Sequence, residues 1–217
     1  NWVQDGVALC TATGNQELPV ITSDGAGGAI ITWRDNRSGS WDIYAQGVNA
    51  SGAVQWTADG VALCTAAGER GEPKITSDGA GGAIVTWHDR RSGNYDIYAQ
   101  RVNASGAVQW TADGVALCTA AGDQGYYAIT SDGAGGAIVT WEDSISGSPD
   151  IYAQRVNASG TVQWTADGVA LCMAPGSQWS PEIISDGAGG AIVAWQDRRS
   201  GIWDIYTQRM NASGAVQ

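Results

Sequence analysis

Cysteine falls at Cys10, Cys64, Cys118 and Cys172, a constant interval of 54 residues. Trp33, Trp87, Trp141 and Trp195 keep that interval, as do Trp2, Trp56, Trp110 and Trp164. The chain of 217 residues is one 54-residue unit written four times without insertion or deletion, plus a single residue. A repeat of this length is a supersecondary unit that cannot bury its apolar faces alone and must stack on its neighbours. Every further reading of the sequence has to respect that.

One unit, residues 15–68, reads as four short strands. Residues 19–23 form the first, closed by the glycine-rich connection Asp24-Gly25-Ala26-Gly27-Gly28. Residues 29–33 form the second, and a polar turn from 35 to 40 follows. Residues 43–48 form the third, after which Asn49-Ala50-Ser51-Gly52 turns the chain again. Residues 53–56 and 61–65 make an interrupted fourth strand around Thr57-Ala58-Asp59-Gly60. No window carries an apolar period of 3.6, so helix is not expected. Strands with bulk on both faces suit sheets packed between two neighbours. Four-stranded antiparallel units at this spacing predict an all-β, four-bladed β-propeller, with a β-solenoid or an open arc as the alternatives.

The stretch from Ile75 to Tyr98 runs Ile-Thr-Ser-Asp-Gly, Gly-Gly-Ala-Ile-Val-Thr-Trp, Asp-x-Arg-Ser-Gly and Asp-Ile-Tyr. It resembles the TolB-type propeller repeat, and the tandem propeller repeats of large secreted bacterial proteins. The likeness covers about 30 of every 54 residues in all four copies. It departs in lacking a proline in the first turn, in the tryptophan at 33 and its equivalents, and in a longer last strand. The resemblance implies a propeller and a secreted or cell-surface setting, and carries no activity.

The blades are expected near 15–66, 69–120, 123–174 and 177–217, the last completed by residues 1–12, so that 1–217 is a single domain. The segment before Cys10 matches the end of a fourth strand, and residues 213–217 match its beginning. The N-terminal strand should therefore close the last blade and leave no unpaired edge. A closed monomer is the favoured reading, because an intramolecular strand has the higher effective concentration. A ring-completing dimer or a head-to-tail polymer would satisfy the same complementarity.

Variation among the copies gathers in two places: the lead-in to the first strand (15–20, 69–74, 123–128, 177–182) and the turn between strands two and three (34–41, 88–95, 142–149, 196–203). In an up-down-up-down blade both lie on one face, and the invariant turns lie on the other. The aromatics beyond the repeated set are Trp41, Trp179, Trp203, Tyr95, Tyr126 and Tyr127, all in variable segments, with Arg37, Arg91, Arg199 and the lone His88 beside them. Aromatic and arginine side chains are the usual anchors of interfaces. These ten residues form the expected ligand-binding set, set against the reading that the aromatics merely cap the blade ends.

The net charge of −11 excludes nucleic acid as a partner, because affinity there rests on Lys and Arg. No apolar run approaches the roughly 20 residues of a membrane span. Sixteen of the 22 carboxylates recur as four aspartates per repeat; the other six are Glu17, Glu69, Glu72, Asp123, Glu142 and Glu182. The recurring Asp35 and Asp42 sit at turn positions, where Asp bonds its own backbone, with Ca²⁺ as the alternative and no other cofactor implied. One cysteine per repeat reads as a buried hydrophobe rather than a disulfide framework. Asn49, Asn103, Asn157 and Asn211 each open an Asn-Ala-Ser sequon that also makes an ordinary turn. The expectation is a non-catalytic, lectin-like recognition or adhesion module, binding a glycan or protein through the variable face. The alternatives are a structural spacer of a larger secreted protein and a propeller-type glycan hydrolase. The last requires acids of perturbed pKa clustered in a pocket, and no non-repeating constellation stands out in the sequence.

Overall fold

The computed structural model describes residues 2–217. Blade one contains β1 (Gln16–Ser23), β2 (Ala29–Asp35), β3 (Asp42–Val48) and β4 (Val61–Cys64). Blade two contains β5 (Arg70–Ser77), β6 (Ala83–Asp89), β7 (Asp96–Val102) and β8 (Val115–Cys118). Blade three contains β9 (Gln124–Ser131), β10 (Ala137–Asp143), β11 (Asp150–Val156) and β12 (Val169–Cys172). Blade four contains β13 (Gln178–Ser185), β14 (Ala191–Asp197) and β15 (Asp204–Met210). Each sheet is an antiparallel meander in chain order, so the array is a four-bladed all-β propeller.

The innermost strands begin earlier than their apolar residues suggest. β1 pairs at Gln16 with Asp35, then slips across a bulge between Glu17 and Val20. The same bulge recurs in β5, β9 and β13, and it puts Leu18, Glu72, Tyr126 and Ser180 at positive φ. Proline, which cannot feed a ladder, sits at the bulge as Pro19, Pro73 and Pro181. Tyr127 stands there in blade three.

The blades are welded face to face by apolar side chains. Ile30, Ile43, Ala45 and Leu63 of blade one meet Ala83, Val85, Trp87 and Val102 of blade two. The blade three–four junction repeats this with Ile138, Ile151, Ala153 and Leu171 against Ala191, Val193, Trp195 and Met210. Each fully buried Ile, Val or Leu contributes about 1.5–3 kcal/mol relative to exposure. The blades thus depend on one another, as the repeat length requires.

The strand expected to complete blade four does something else. The fourth sheet has three strands, β13-β14-β15, and residues 2–10 form no strand of it. Those residues lie instead against blade one, with Leu9 and Cys10 on Ile31, Trp33 and Val48. The expected closure within the chain is corrected accordingly: the array is an open arc with β15 on its free edge. Sequence complementarity shows which strand fits beside β15, but not whether the arc brings the two together.

Candidate functional site

The two variable segments of each repeat do meet on one face, and at the blade two–three junction they enclose a cavity of about 370 Å³. Its walls are Glu72, His88 and Tyr95 from blade two, and Asp123, Gln124, Gly125, Tyr126, Glu142 and Ser144 from blade three. Strand register explains why the space is here. Position 88 pairs with Gly71 and position 142 with Gly125, so neither His88 nor Glu142 faces a side chain on its inner-strand neighbour. In blades one and four the equivalent partners are Glu17 and Trp179, which fill that room. Glu17 pairs with the Arg34 guanidinium at 2.5 Å.

Glu142 is the least ordinary carboxyl in the cavity. It is 7% exposed, and its Oε1 accepts a 2.6 Å hydrogen bond from the Ser180 amide of blade four. Burial pushes its pKa above the usual glutamate range, and the Ser180 bond only partly offsets this. Asp123 Oδ1 accepts from the Tyr95 amide at 2.9 Å, which ties blade three to the turn of blade two. Burial lowers the His88 pKa, with Glu72 opposing, and so favours the neutral imidazole. Its ring meets Tyr95 edge-on at 4.6 Å and Tyr127 at 6.0 Å. Glu72 sits on the bulge at φ 50°, a backbone region costly for non-glycine residues and used to re-aim side chains.

The ten residues expected to bind ligand divide into four groups. His88, Tyr95 and Tyr126 come together in the cavity, and Tyr126 is 71% exposed. Trp179 and Trp203 form a separate pair on blade four, 5.1 Å apart, with Arg198 at 5.7 Å from the Trp203 ring. Trp41 lies on blade one under Arg34, at 4.2 Å. The remaining four are structural. Tyr127 is buried; its hydroxyl accepts from the His88 amide at 3.1 Å and bonds the Gly71 and Glu72 carbonyls. Arg91 clamps Asp89 with Nε at 3.0 Å and Nη2 at 2.6 Å, donates to the Asp113 carbonyl, and lies 4.0 Å over Tyr98. Arg37 and Arg199 make the same clamps on Asp35 and Asp197.

Those clamps also dispose of the recurring carboxylates. Asp89 Oδ2 accepts from Trp87 Nε1 at 3.0 Å as well, so its oxygens are already committed within the scaffold. Despite burial, the Arg91 and Trp87 bonds hold Asp89 below the usual carboxylate range. Asp42 accepts from Ser38 and Arg70. Among the described residues, no group of three or more His, Cys, Asp or Glu side chains is placed to hold a metal ion.

What the sequence reading missed is that Glu72, Asp123 and Glu142 line one cavity. They are three of the six acids that lie outside the repeated pattern, so the signal was their departure from periodicity. Their convergence depended on register and on two glycines.

No family model and no curated protein matches this chain. Among solved structures, an endo-arabinase from Bacteroides thetaiotaomicron superposes with a TM-score of 0.53 at 15% identity, over 94% of this chain and 79% of its own. A thermostable family-43 glycoside hydrolase superposes with a TM-score of 0.53 at 10% identity, over 95% of this chain and 75% of its own. These matches establish a propeller-like all-β repeat fold. They are glycosidase propellers rather than TolB-type ones, so the finer TolB resemblance does not hold. The expectation of a non-catalytic recognition module is likewise corrected: many of the solved structures sharing the fold are glycoside hydrolases, which favours the hydrolase alternative.

Proposed function

We propose that this chain is a propeller-type glycoside hydrolase whose reaction takes place in the cavity between blades two and three. The observation that carries the reading is the meeting there of three non-repeating carboxyl groups, one of them with a raised pKa. Glycosidic hydrolysis needs one carboxylic acid to protonate the leaving oxygen and a second, ionised carboxylate across the bond. Glu142 is the acid. Desolvation keeps its proton at higher pH, and the Ser180 amide fixes the carboxyl. Glu72, on the opposite wall, is the second carboxylate. As Glu142 gives its proton to the glycosidic oxygen, the C–O bond breaks, and water adds to the anomeric carbon and leaves its proton with the base.

Tyr126 offers an open ring face for a sugar; Tyr95, met by His88 and Arg90, backs the wall, and Asp123 anchors its turn from blade three. A volume of about 370 Å³ lies within the range of small-molecule sites. A glycan substrate suits a secreted or cell-surface location.

The test is release of reducing ends from a panel of plant, fungal and bacterial polysaccharides. The wild type is expected to cleave at least one. Glu142→Gln and Glu72→Gln are expected to lower that rate about 10²- to 10⁴-fold with an unchanged melting temperature. Full activity in Glu142→Gln, or no cleavage of any glycan by the wild type, would overturn the reading.

A further inference from the structure

The face of the invariant turns repeats one bridge between blades. In blade two, Arg101 Nε and Nη2 donate to Asp78 Oδ2 at 2.9 and 2.8 Å, and Nη1 donates to the Ala158 carbonyl of blade three at 3.0 Å. In blade three, Arg155 grips Asp132 Oδ2 at 3.0 and 2.9 Å and reaches the Ala212 carbonyl of blade four at 3.1 Å. Arg209 holds Asp186 Oδ2 in the same way, at 3.1 and 2.9 Å. The guanidinium thus fastens the Asp-Gly turn of its own blade to the Asn-Ala-Ser-Gly turn of the next.

Blade one breaks the series, because the residue equivalent to Arg101 is Gly47. Gly47 is not at positive φ, so the backbone does not call for glycine there. Where the side chain would run, a cavity of about 280 Å³ opens, walled by Asp24, Gly47 and Trp56 with Ala104 of blade two. Asp24 Oδ1 accepts from the Ala26 and Gly28 amides at 2.8 Å, as Asp78 Oδ1 does from Ala80 and Gly82. Asp24 Oδ2, however, has no partner among the described residues, whereas Asp78 Oδ2 holds Arg101. The Ala104 carbonyl accepts from Trp56 Nε1 alone, at 3.0 Å. The matching Ala158 carbonyl accepts from both Trp110 Nε1 and Arg101 Nη1, which uses both of its lone pairs. Both acceptors of the bridge are in place at the blade one–two junction, and the chain supplies no donor to join them.

We propose that this junction binds the guanidinium group of a ligand, in the pose that Arg101 and Arg155 show within the chain. The planar fork of a guanidinium presents donors to a carboxylate oxygen on one side and a carbonyl on the other; an ammonium is a point charge and does not span the two. The net charge of −11 draws such a cation toward the protein. Once seated, the ligand joins blade one to blade two as the arginines join two to three and three to four. The group can come from a free guanidinium compound or from an arginine side chain of a polypeptide; the recognition chemistry is the same. The site lies on the opposite face from the carboxyl-lined cavity and does not rest on the glycosidase reading.

The experiment is titration calorimetry on the 217-residue chain. Ethylguanidinium serves as the bare group, acetyl-arginine-amide as the side chain of a polypeptide, and acetyl-citrulline-amide as the neutral control. At least one guanidinium probe is expected to bind a single site about tenfold or more tightly than the citrulline form. Asp24→Asn keeps the Oδ1 turn bonds and should weaken that binding about tenfold or more. Gly47→Arg supplies the group from within the chain, as the other three copies do, and should abolish it. Equal affinity for the two probes assigns the site to a free guanidinium compound, and tighter binding of acetyl-arginine-amide assigns it to a polypeptide. The proposal is overturned if neither probe binds above the citrulline control. It is equally overturned if binding persists unchanged in both Asp24→Asn and Gly47→Arg, which is the behaviour of a cation drawn only by net charge.

Discussion

The two faces of the arc come from the same repeated unit, and they use it in opposite ways. On the uniform face each blade makes the same bonds. Asp78 Oδ1 accepts from the Ala80 and Gly82 amides at 2.8 Å, and Asn103 Oδ1 accepts from the Ser105 and Ala107 amides at 3.0 and 2.9 Å. The other three copies repeat both turns. On the diversified face the backbone is just as regular, with the same inner-strand bulge in every blade, yet the side chains at equivalent positions differ. Position 34 and its equivalents carry Arg, His, Glu and Gln; position 18 and its equivalents carry Leu, Glu, Tyr and Ser. A repeat thus supplies four identical frames, and chemistry enters where one frame departs from the others. Only the blade two–three junction combines opposing glycines with a buried glutamate.

Substitutions test that contrast. The largest effect on folding is expected at Arg70, which holds a position where the other copies have Gln16, Gln124 and Gln178. Its guanidinium is buried, 3.1 Å from Asp42, and donates to the Trp41 and Gly68 carbonyls at 2.9 Å. Arg70→Ala leaves Asp42 without its cation and should cost about 3–5 kcal/mol in urea unfolding. Arg70→Gln restores the common residue, whose amide in blade three bonds the Ala120 and Gly122 carbonyls, and should cost about 1 kcal/mol or less. Equal losses for the two would deny that the frames are interchangeable.

Next in size is Gly82 on the uniform face. A Cβ there would overlap the Val102 carbonyl oxygen and crowd Asp78 Oδ2 at 2.6 Å. Gly82→Ala should cost about 1–3 kcal/mol by the same unfolding measurement and leave glycan cleavage intact at a permissive temperature. The smallest effect is expected on the diversified face. Tyr126 has φ 41° and an exposed ring. Tyr126→Gly should relieve the backbone and raise stability by about 1 kcal/mol, while KM for the glycan rises. A stability loss would show that the ring packs the scaffold instead of facing substrate.

The legible and illegible parts of this protein follow the same division. Repetition made the strands, the invariant turns and the shared face of the variable segments readable without coordinates. It also carried a warning about Arg37, Arg91 and Arg199. An arginine present in three of four copies is part of the frame, and its clamp on the neighbouring aspartate bears that out. Tyr127 was unreadable as a rivet because its role comes from replacing a bulge proline and reaching across to blade two. The convergence of Glu72, Asp123 and Glu142 was hidden because proximity depended on register across a bulge, where a slip of one residue turns a side chain to the other face. The open edge of β15 was hidden for a related reason: strand complementarity does not say whether the blades bring the two strands together.

The central claim, that Glu142 is the acid of a glycosidase cavity, is tested most directly by the pH dependence of kcat/KM on a cleaved glycan. Its raised pKa means the acid form persists above the ordinary glutamate range, near pH 4.3, and the rate declines as pH rises past that raised value. The expected result is an alkaline limb that disappears in Glu142→Gln, leaving a low and flat residual rate on that side. An alkaline limb of unchanged position and height in Glu142→Gln would contradict it.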